Sequence, residues 1–233
     1  MEAELVTAAA RAVWPAGSES PRTKSGRAFT LTELLVTIAC VVLVVAALLP
    51  VVARSRARPC RIACTNNVKQ IGLSFHTWAI DHNDHFPMQV SVTNGGTMEL
   101  AASGSVFPHF QAMSNELNTT RILLCPNDKD RTWASNFTSD LTDKHLSYFV
   151  NIDSVPMDGT SLLCGDRNIT NRASAGSRFV KLTKDTTIAW TKELHSDQGN
   201  LCFADGVVQG CSNRRVSAVL QIPAGVTNRL AVP

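Results

Sequence analysis

The chain has 233 residues, 22 Lys and Arg against 19 Asp and Glu, a formal net charge of +3 and 44% hydrophobic residues. So small a charge excess gives no argument for nucleic acid, and the length suits one membrane segment plus one modest domain with its own core. No period of roughly 20–50 residues repeats and no long low-complexity tract occurs, so solenoids and propellers are set aside. Residues 1–27 carry Pro15, Gly17, Pro21 and Gly26, which break any helix, and close on the basic residues Arg22, Lys24 and Arg27. The apolar run from Phe29 to Ala53 covers 25 positions, longer than the core of a secretory signal and long enough to span a bilayer. "RSRARPCR" follows it, with no small-residue cleavage site, so the plain reading is a single-pass anchor. Arg54, Arg56, Arg58 and Arg61 balance Arg11, Arg22, Lys24 and Arg27, and basic charge therefore sets no orientation. Glu33 stands out near the start of this run, where a charge costs about 2.5–3.5 kcal/mol on insertion scales.

The basic leader, the stretch "AFTLTELLVTIA" with Phe29 four positions ahead of Glu33, and the long apolar helix together resemble the class III signal of type IV prepilins and pseudopilins. The resemblance implies that a membrane aspartyl peptidase cuts between Ala28 and Phe29 and methylates the new amino terminus. That family usually has Gly before the cut; here Ala28 stands there, with Gly26 two residues earlier. It also implies that Glu33 pairs with the Phe29 amine of a neighbouring subunit, which turns a costly charge into a device for assembly and axial register. Pro50 falls where the family commonly carries a helix-distorting proline; from the residues alone, it serves equally well as the end of the span.

Beyond the span, Cys64, Val68, Ile71, Phe75 and Trp78 recur at steps of four and three, an apolar stripe suited to covering a sheet. From Phe86 the pattern changes to short strand-like runs: "FPMQVSV", "RILLCP", "LSYFVN", "SRFVKL" and "TTIAWT". In "NLCFADGVVQG", two apolar segments flank Asp205-Gly206, a type I′ hairpin signal, and "RRVSAVLQI" reads as a short helix. The expected fold is α+β: a long N-terminal helix, transmembrane and then amphipathic, packed on a small antiparallel β-sheet head, as in type IV pilins. The expected division is 1–28 leader, 29–53 transmembrane and assembly helix, 54–85 amphipathic half, and 86–233 head.

Head segments extend the resemblance. "CTNNVKQIGLSFHTWAIDHNDHFP", "LLCPND", "SYFVN" and "TNRLAVP" are similar to stations of pilin-like families abundant in planctomycetes and verrucomicrobia. His195, nine intervening residues and then Asp205-Gly206 match the signature of one such family, often described as type II secretion G-like.

Seven cysteines are present, Cys40 within the span and Cys60, Cys64, Cys125, Cys164, Cys202 and Cys211 beyond it. None forms a C-x-x-C pair, so the usual zinc and thioredoxin spacings are absent; in an exported head, disulfides are the alternative. Cys125 and Cys164, each after a Leu-Leu pair, are the expected partners. A two-residue turn would set Cys202 opposite Gln209 and leave Cys211 only a diagonal neighbour, about 7–8 Å away. The "DHNDH" run from Asp81 to His85 offers possible metal ligands, but it lies where a helix ends and polar residues cap and solvate, and two His suit calcium poorly. His195 with Asp197, Asp205 and Cys202 could suggest acid–base or nucleophilic chemistry, yet no serine elbow, phosphate loop or H-E-x-x-H accompanies them. His195 is therefore read as fixing a loop and Asp205-Gly206 as making a turn. Trp133 and Trp190 are read as core rather than sugar platforms.

The expectation is a non-enzymatic, pseudopilin-like structural subunit of a type II secretion or type IV pilus-like fibre, without metal or cofactor. It would sit in the bacterial inner membrane with its head periplasmic or extracytoplasmic. Its partners would be the prepilin peptidase, other pseudopilin subunits, the inner-membrane assembly platform and the lipid bilayer. Two alternatives stand beside it: a surface-displayed binding module exported by the prepilin signal, and a membrane-tethered hydrolase with Cys202 and His195 within hydrogen-bond reach in a cleft.

Overall fold

The computed structural model describes residues 29–171 and 178–233, with the backbone alone of residues 50–59. The expected leader, including Ala28, lies outside the described residues. The chain divides into two units, Met1–Leu49 and Pro50–Pro233. The first helix, α1, runs Leu31–Ile80 over 50 residues.

In the first unit the helix starts on a capping box. The Glu33 carboxylate accepts from the Thr30 backbone N–H (2.9 Å) and hydroxyl (2.8 Å), while Thr30 Oγ1 accepts from the Glu33 N–H (3.3 Å). Thr-x-x-Glu satisfies donors that a helix start otherwise leaves open. The carboxylate that interrupts the apolar pattern thus has a local task. From Leu31 to Leu49, 19 residues with mean hydropathy 2.6 and none buried form a helix long and apolar enough to cross a membrane. The backbone remains helical through Pro50, whose side chain lies outside the described residues.

In the second unit the predicted stripe is the buried face of α1: Cys64, Val68, Ile71 and Phe75 are fully buried and Trp78 nearly so. The helix stops at Ile80 because the "DHNDH" run turns the backbone. Asn83 and Asp84 take φ of 55° and 57°, and the Asp84 N–H bonds back to the Ala79 carbonyl. Asn and Asp tolerate this left-handed region better than most residues. The His82 ring stacks on Trp78 with centroids 3.5 Å apart and donates from Nδ1 to the Trp78 carbonyl. These polar residues therefore end the helix.

Two of the strand-like runs are not strands. "FPMQVSV" contains 3₁₀ turns at Pro87–Gln89 and Val92–Asn94, and "RILLCP" contains one at Thr120–Leu123. Side chains supply the bonds that a sheet would have supplied: Gln89 Oε1 accepts from the Phe86 N–H, and the Glu99 carboxylate accepts from the Val92 N–H and the Ser91 hydroxyl. Two short helices, α2 (Phe107–Ala112) and α3 (Ser114–Leu117), lie between them. Phe86, Val106, Phe110, Met113 and Leu123 from this region are fully buried in the same cluster as the α1 stripe.

The strands are β1 (Tyr148–Asn151), β2 (Leu162–Asp166), β3 (Ile169–Asn171), β4 (Phe179–Leu182), β5 (Ile188–Trp190), β6 (Gln198–Phe203), β7 (Val208–Ser212) and β8 (Asn228–Ala231). A short α4 (Val216–Val219) precedes β8. Six strands form one sheet in the order β4-β8-β1-β2-β6-β7, every pair antiparallel, and β3 pairs with β5 in a second small sheet. The architecture is mixed α+β. Alternation along the strands separates two cores. Tyr148, Val150, Cys164 and Cys202 join the α1 stripe, whereas Phe149, Leu201 and Phe203 join Trp190, Val216 and Leu220 in the other. A register shift between Leu162 and Cys164 breaks the alternation on β2, so that Leu163 and Cys164 both join the α1 cluster.

The β6–β7 hairpin differs from the expected type I′ turn. Cys202 pairs with Val208 and Leu201 with Gln209, while Phe203 and Val207 close a three-residue loop through a 2.9 Å bond. Only Gly206 takes positive φ there, 85°, which marks a type I turn followed by a glycine bulge. Cys202 therefore faces Val208 rather than Gln209, and Cys211 pairs with Gly199.

Candidate functional site

The most chemically loaded place in the second unit lies where the α1 face meets the sheet and two loops. Cys64 comes from α1, Cys125 from the loop after the Thr120–Leu123 turn, Asp166 from the end of β2, and His195 from the loop joining β5 to β6. Cys64 Sγ, Cys125 Sγ and His195 Nε2 all lie within 4.8 Å of one another. Cys64 Sγ donates to Asp166 Oδ1 at 3.1 Å and lies 3.4 Å from the Tyr148 hydroxyl. His195 Nε2 is 3.5 Å from Cys125 Sγ and 3.6 Å from Asp166 Oδ2. Cys64, Cys125, Tyr148 and Asp166 are buried, and the His195 side chain is 5% exposed.

Each element is held by polar residues next to its functional side chain. On α1, Asn67 donates to the Leu124 carbonyl (3.1 Å), fixing the approach to Cys125, and Thr65 donates to Asn200 Oδ1 (3.0 Å). Asn200 donates its backbone N–H (2.8 Å) and its amide (2.9 Å) to Asp166 Oδ2, which sets the plane of that carboxylate. In the "CPND" loop, Asn127 donates to the Leu194 carbonyl, one residue before His195. Asp128 accepts the bidentate Arg167 guanidinium at 2.8 and 2.9 Å and the Ser147 hydroxyl at 2.8 Å. Arg167 also bonds to Glu193 at 2.7 Å, tying the Cys125 and His195 loops through one cation. Asn168 bonds to the Thr191 and Gln198 carbonyls at the ends of the His195 loop. Buried polar groups of this kind are costly unless paired; here they mostly pair with one another, while Asn168 Oδ1 and Thr191 Oγ1 are left without a partner among the described residues.

The protonation states follow from this geometry. The hydrogen bond with Cys64, and then that with His195, outweigh burial and hold the Cys125 thiol down to about 5. The same Cys64–Cys125 bond, with burial and the Asp166 charge, pushes the Cys64 thiol up. Burial opposes charge on His195, but Cys125 and Asp166 outweigh it and raise the imidazole above its ordinary value. Burial pushes Asp166 up to about 6, with the His195 charge pulling the other way.

Several predicted site residues meet here and others do not. His195 fixes a loop, as expected, but it also faces a thiol and a carboxylate. Asp205 and Gly206 make the hairpin turn, Asp205 Oδ1 accepting from the Val207 N–H at 2.9 Å. Cys125 and Cys164, the partners expected from the sequence, have different cysteine neighbours: Cys64 for Cys125, and Cys202, opposite on β6, for Cys164. All seven cysteines are free thiols. The hydrolase alternative required Cys202 at His195, whereas the thiol there is that of Cys125. A nucleophilic triad also needs the carboxylate on the ring nitrogen away from the thiol, and here both approach Nε2. The sequence reading missed Cys64 and Asp166. Cys64 opens the quoted stretch beginning "CTNN" and Asp166 closes "LLCGD", and their polar neighbours were the available signal.

In comparisons with protein-family models, curated proteins and solved structures, nothing matches this chain.

Proposed function

We propose that this protein is a pseudopilin-like subunit, anchored in the membrane by the apolar half of α1 and assembled through that segment into a fibre. The observation that carries the reading is the 19-residue segment Leu31–Leu49, with every side chain exposed and a carboxylate in its first turn. Leu34, Leu35, Ile38, Val41, Val42 and Val45 need lipid or neighbouring helices around them, since water would make their exposure costly. The sequence around Phe29 supports processing before that residue, and the antiparallel sheet against an amphipathic helix supports a pilin-like head.

Two roles of Glu33 can be separated by substitution. Gln serves in a capping box as Glu does, so Glu33→Gln keeps the helix start and loses only the charge. If the carboxylate pairs with the amino terminus of a neighbour, Glu33→Gln and Glu33→Ala both insert normally and both fail to assemble. The test is intact-mass analysis of the membrane form, expected to begin at an N-methylated Phe29, with quantification of sheared fibres. A retained leader, or wild-type fibres from Glu33→Gln, would overturn the proposal for processing or for the charge respectively.

A further inference from the structure

We propose that Cys64, Cys125 and His195 bind a thiophilic divalent cation, zinc by its chemistry, with the Asp166 carboxylate beside them. The inference does not depend on how the apolar half of α1 is used. Zinc bonds of about 2.3 Å to sulfur and 2.0–2.1 Å to nitrogen, at tetrahedral angles, separate sulfur from nitrogen by about 3.6 Å and two sulfurs by about 3.8 Å. Cys125 Sγ and His195 Nε2 are 3.5 Å apart, and all three donor atoms fall within 4.8 Å of one another. Among the described residues, no other group of His, Cys, Asp and Glu meets that condition. The carboxylate reaches both sides of the set, with Oδ1 3.1 Å from Cys64 Sγ and Oδ2 3.6 Å from His195 Nε2.

The donor set selects the metal. Two thiolates and an imidazole favour zinc over magnesium or calcium, which take oxygen ligands. On binding, the two thiols would release their protons, and the dication would offset the two thiolate charges in a buried place where unpaired charge is costly. The Asn200 donors on Asp166, with Thr65 behind Asn200, fix the carboxylate beside the three donor atoms. A Cys64–Cys125 disulfide accounts for less. It would remove the thiol that donates to Asp166 and would leave His195 Nε2 facing a poor acceptor. Since the three ligands come from α1 and two separate loops, the ion would tie the helix to both loops, with binding coupled to folding.

The test uses the full-length chain, extracted in detergent without chelator or reductant and analysed for metal by mass spectrometry. About one equivalent of zinc per chain is expected. Cobalt replacement should give thiolate-to-metal charge-transfer absorption with the d–d bands of a tetrahedral site. Cys64→Ser, Cys125→Ser and His195→Ala should lose both, whereas Cys164→Ser and Cys202→Ser should retain them. To separate loss of metal from loss of fold, the wild-type chain is stripped with chelator; its melting temperature should fall and should recover on adding zinc or cobalt. Absence of metal with a Cys64–Cys125 disulfide in the peptide map would overturn the proposal. So would zinc that persists in Cys64→Ser and His195→Ala.

Discussion

Gly72→Ala tests how closely α1 lies on the sheet. A Cβ built on Gly72 would stand 2.6 Å from Cys202 Sγ, against an ordinary contact of 3.4 Å or more, so the pair must separate by close to an ångström. Cys202 is fully buried on β6 in the cluster that includes Ile71 and Phe75. Overpacking of this kind costs about 1–3 kcal/mol. Cys202→Ala removes the sulfur and costs a smaller cavity penalty. The double variant should then be no less stable than Cys202→Ala alone, a coupling of about 1–3 kcal/mol in a double-mutant cycle. The assay is denaturant unfolding of the detergent-solubilised chain, with the fluorescence of buried Trp78 and Trp190 as signal. Strictly additive effects, or a neutral Gly72→Ala, would refute the close approach.

Further outcomes are expected elsewhere in the second unit. His109 is buried on α2, with Nδ1 2.6 Å from Thr97 Oγ1, and burial lowers its pKa from 6.5 to about 4 although Asp143 pulls upward. The unfolded chain binds the proton first, so stability is fully present above pH 6.5 and about 3 kcal/mol is lost as pH falls from 6.5 towards 4. His109→Leu should flatten that part of the stability–pH curve; an unchanged acid slope would disprove the assignment. Asp128→Asn leaves the nearly buried Arg167 without its bidentate partner and should cost about 3 kcal/mol. Hydrogen exchange should quicken in residues 125–130 and 191–197, the two loops that Arg167 joins, and unchanged protection in both would show that they are held by other bonds. Gly206→Ala forces a side chain into left-handed backbone at φ 85° and should destabilise by about 1 kcal/mol without changing metal content, as read by melting and metal analysis.

Local periodicity determined the parts of this protein that depend on neighbours in sequence. The steps of four and three from Cys64 to Trp78 place those side chains on one helical face whatever lies opposite, and burial followed. The apolar length from Leu31 to Leu49 was equally legible. So were most of the strands after Leu146, where β-branched and aromatic residues alternate between two cores. "FPMQVSV" and "RILLCP" were not legible, because strand preference expresses packing on a sheet; here side-chain acceptors such as Gln89 and Glu99 let the same apolar residues reach the core from 3₁₀ turns. The Asp-Gly hairpin was predicted at the right place with the wrong loop, since the pairing register, not the dipeptide, decides its length. The Cys64, Cys125, Asp166 and His195 cluster belongs wholly to the tertiary structure. Its contacts join residues 102 and 70 positions apart, so no ligand spacing in the sequence could announce it. Only the docking of α1 on β1, β2 and β6, and the tying of two loops by Arg167, bring those atoms to one point.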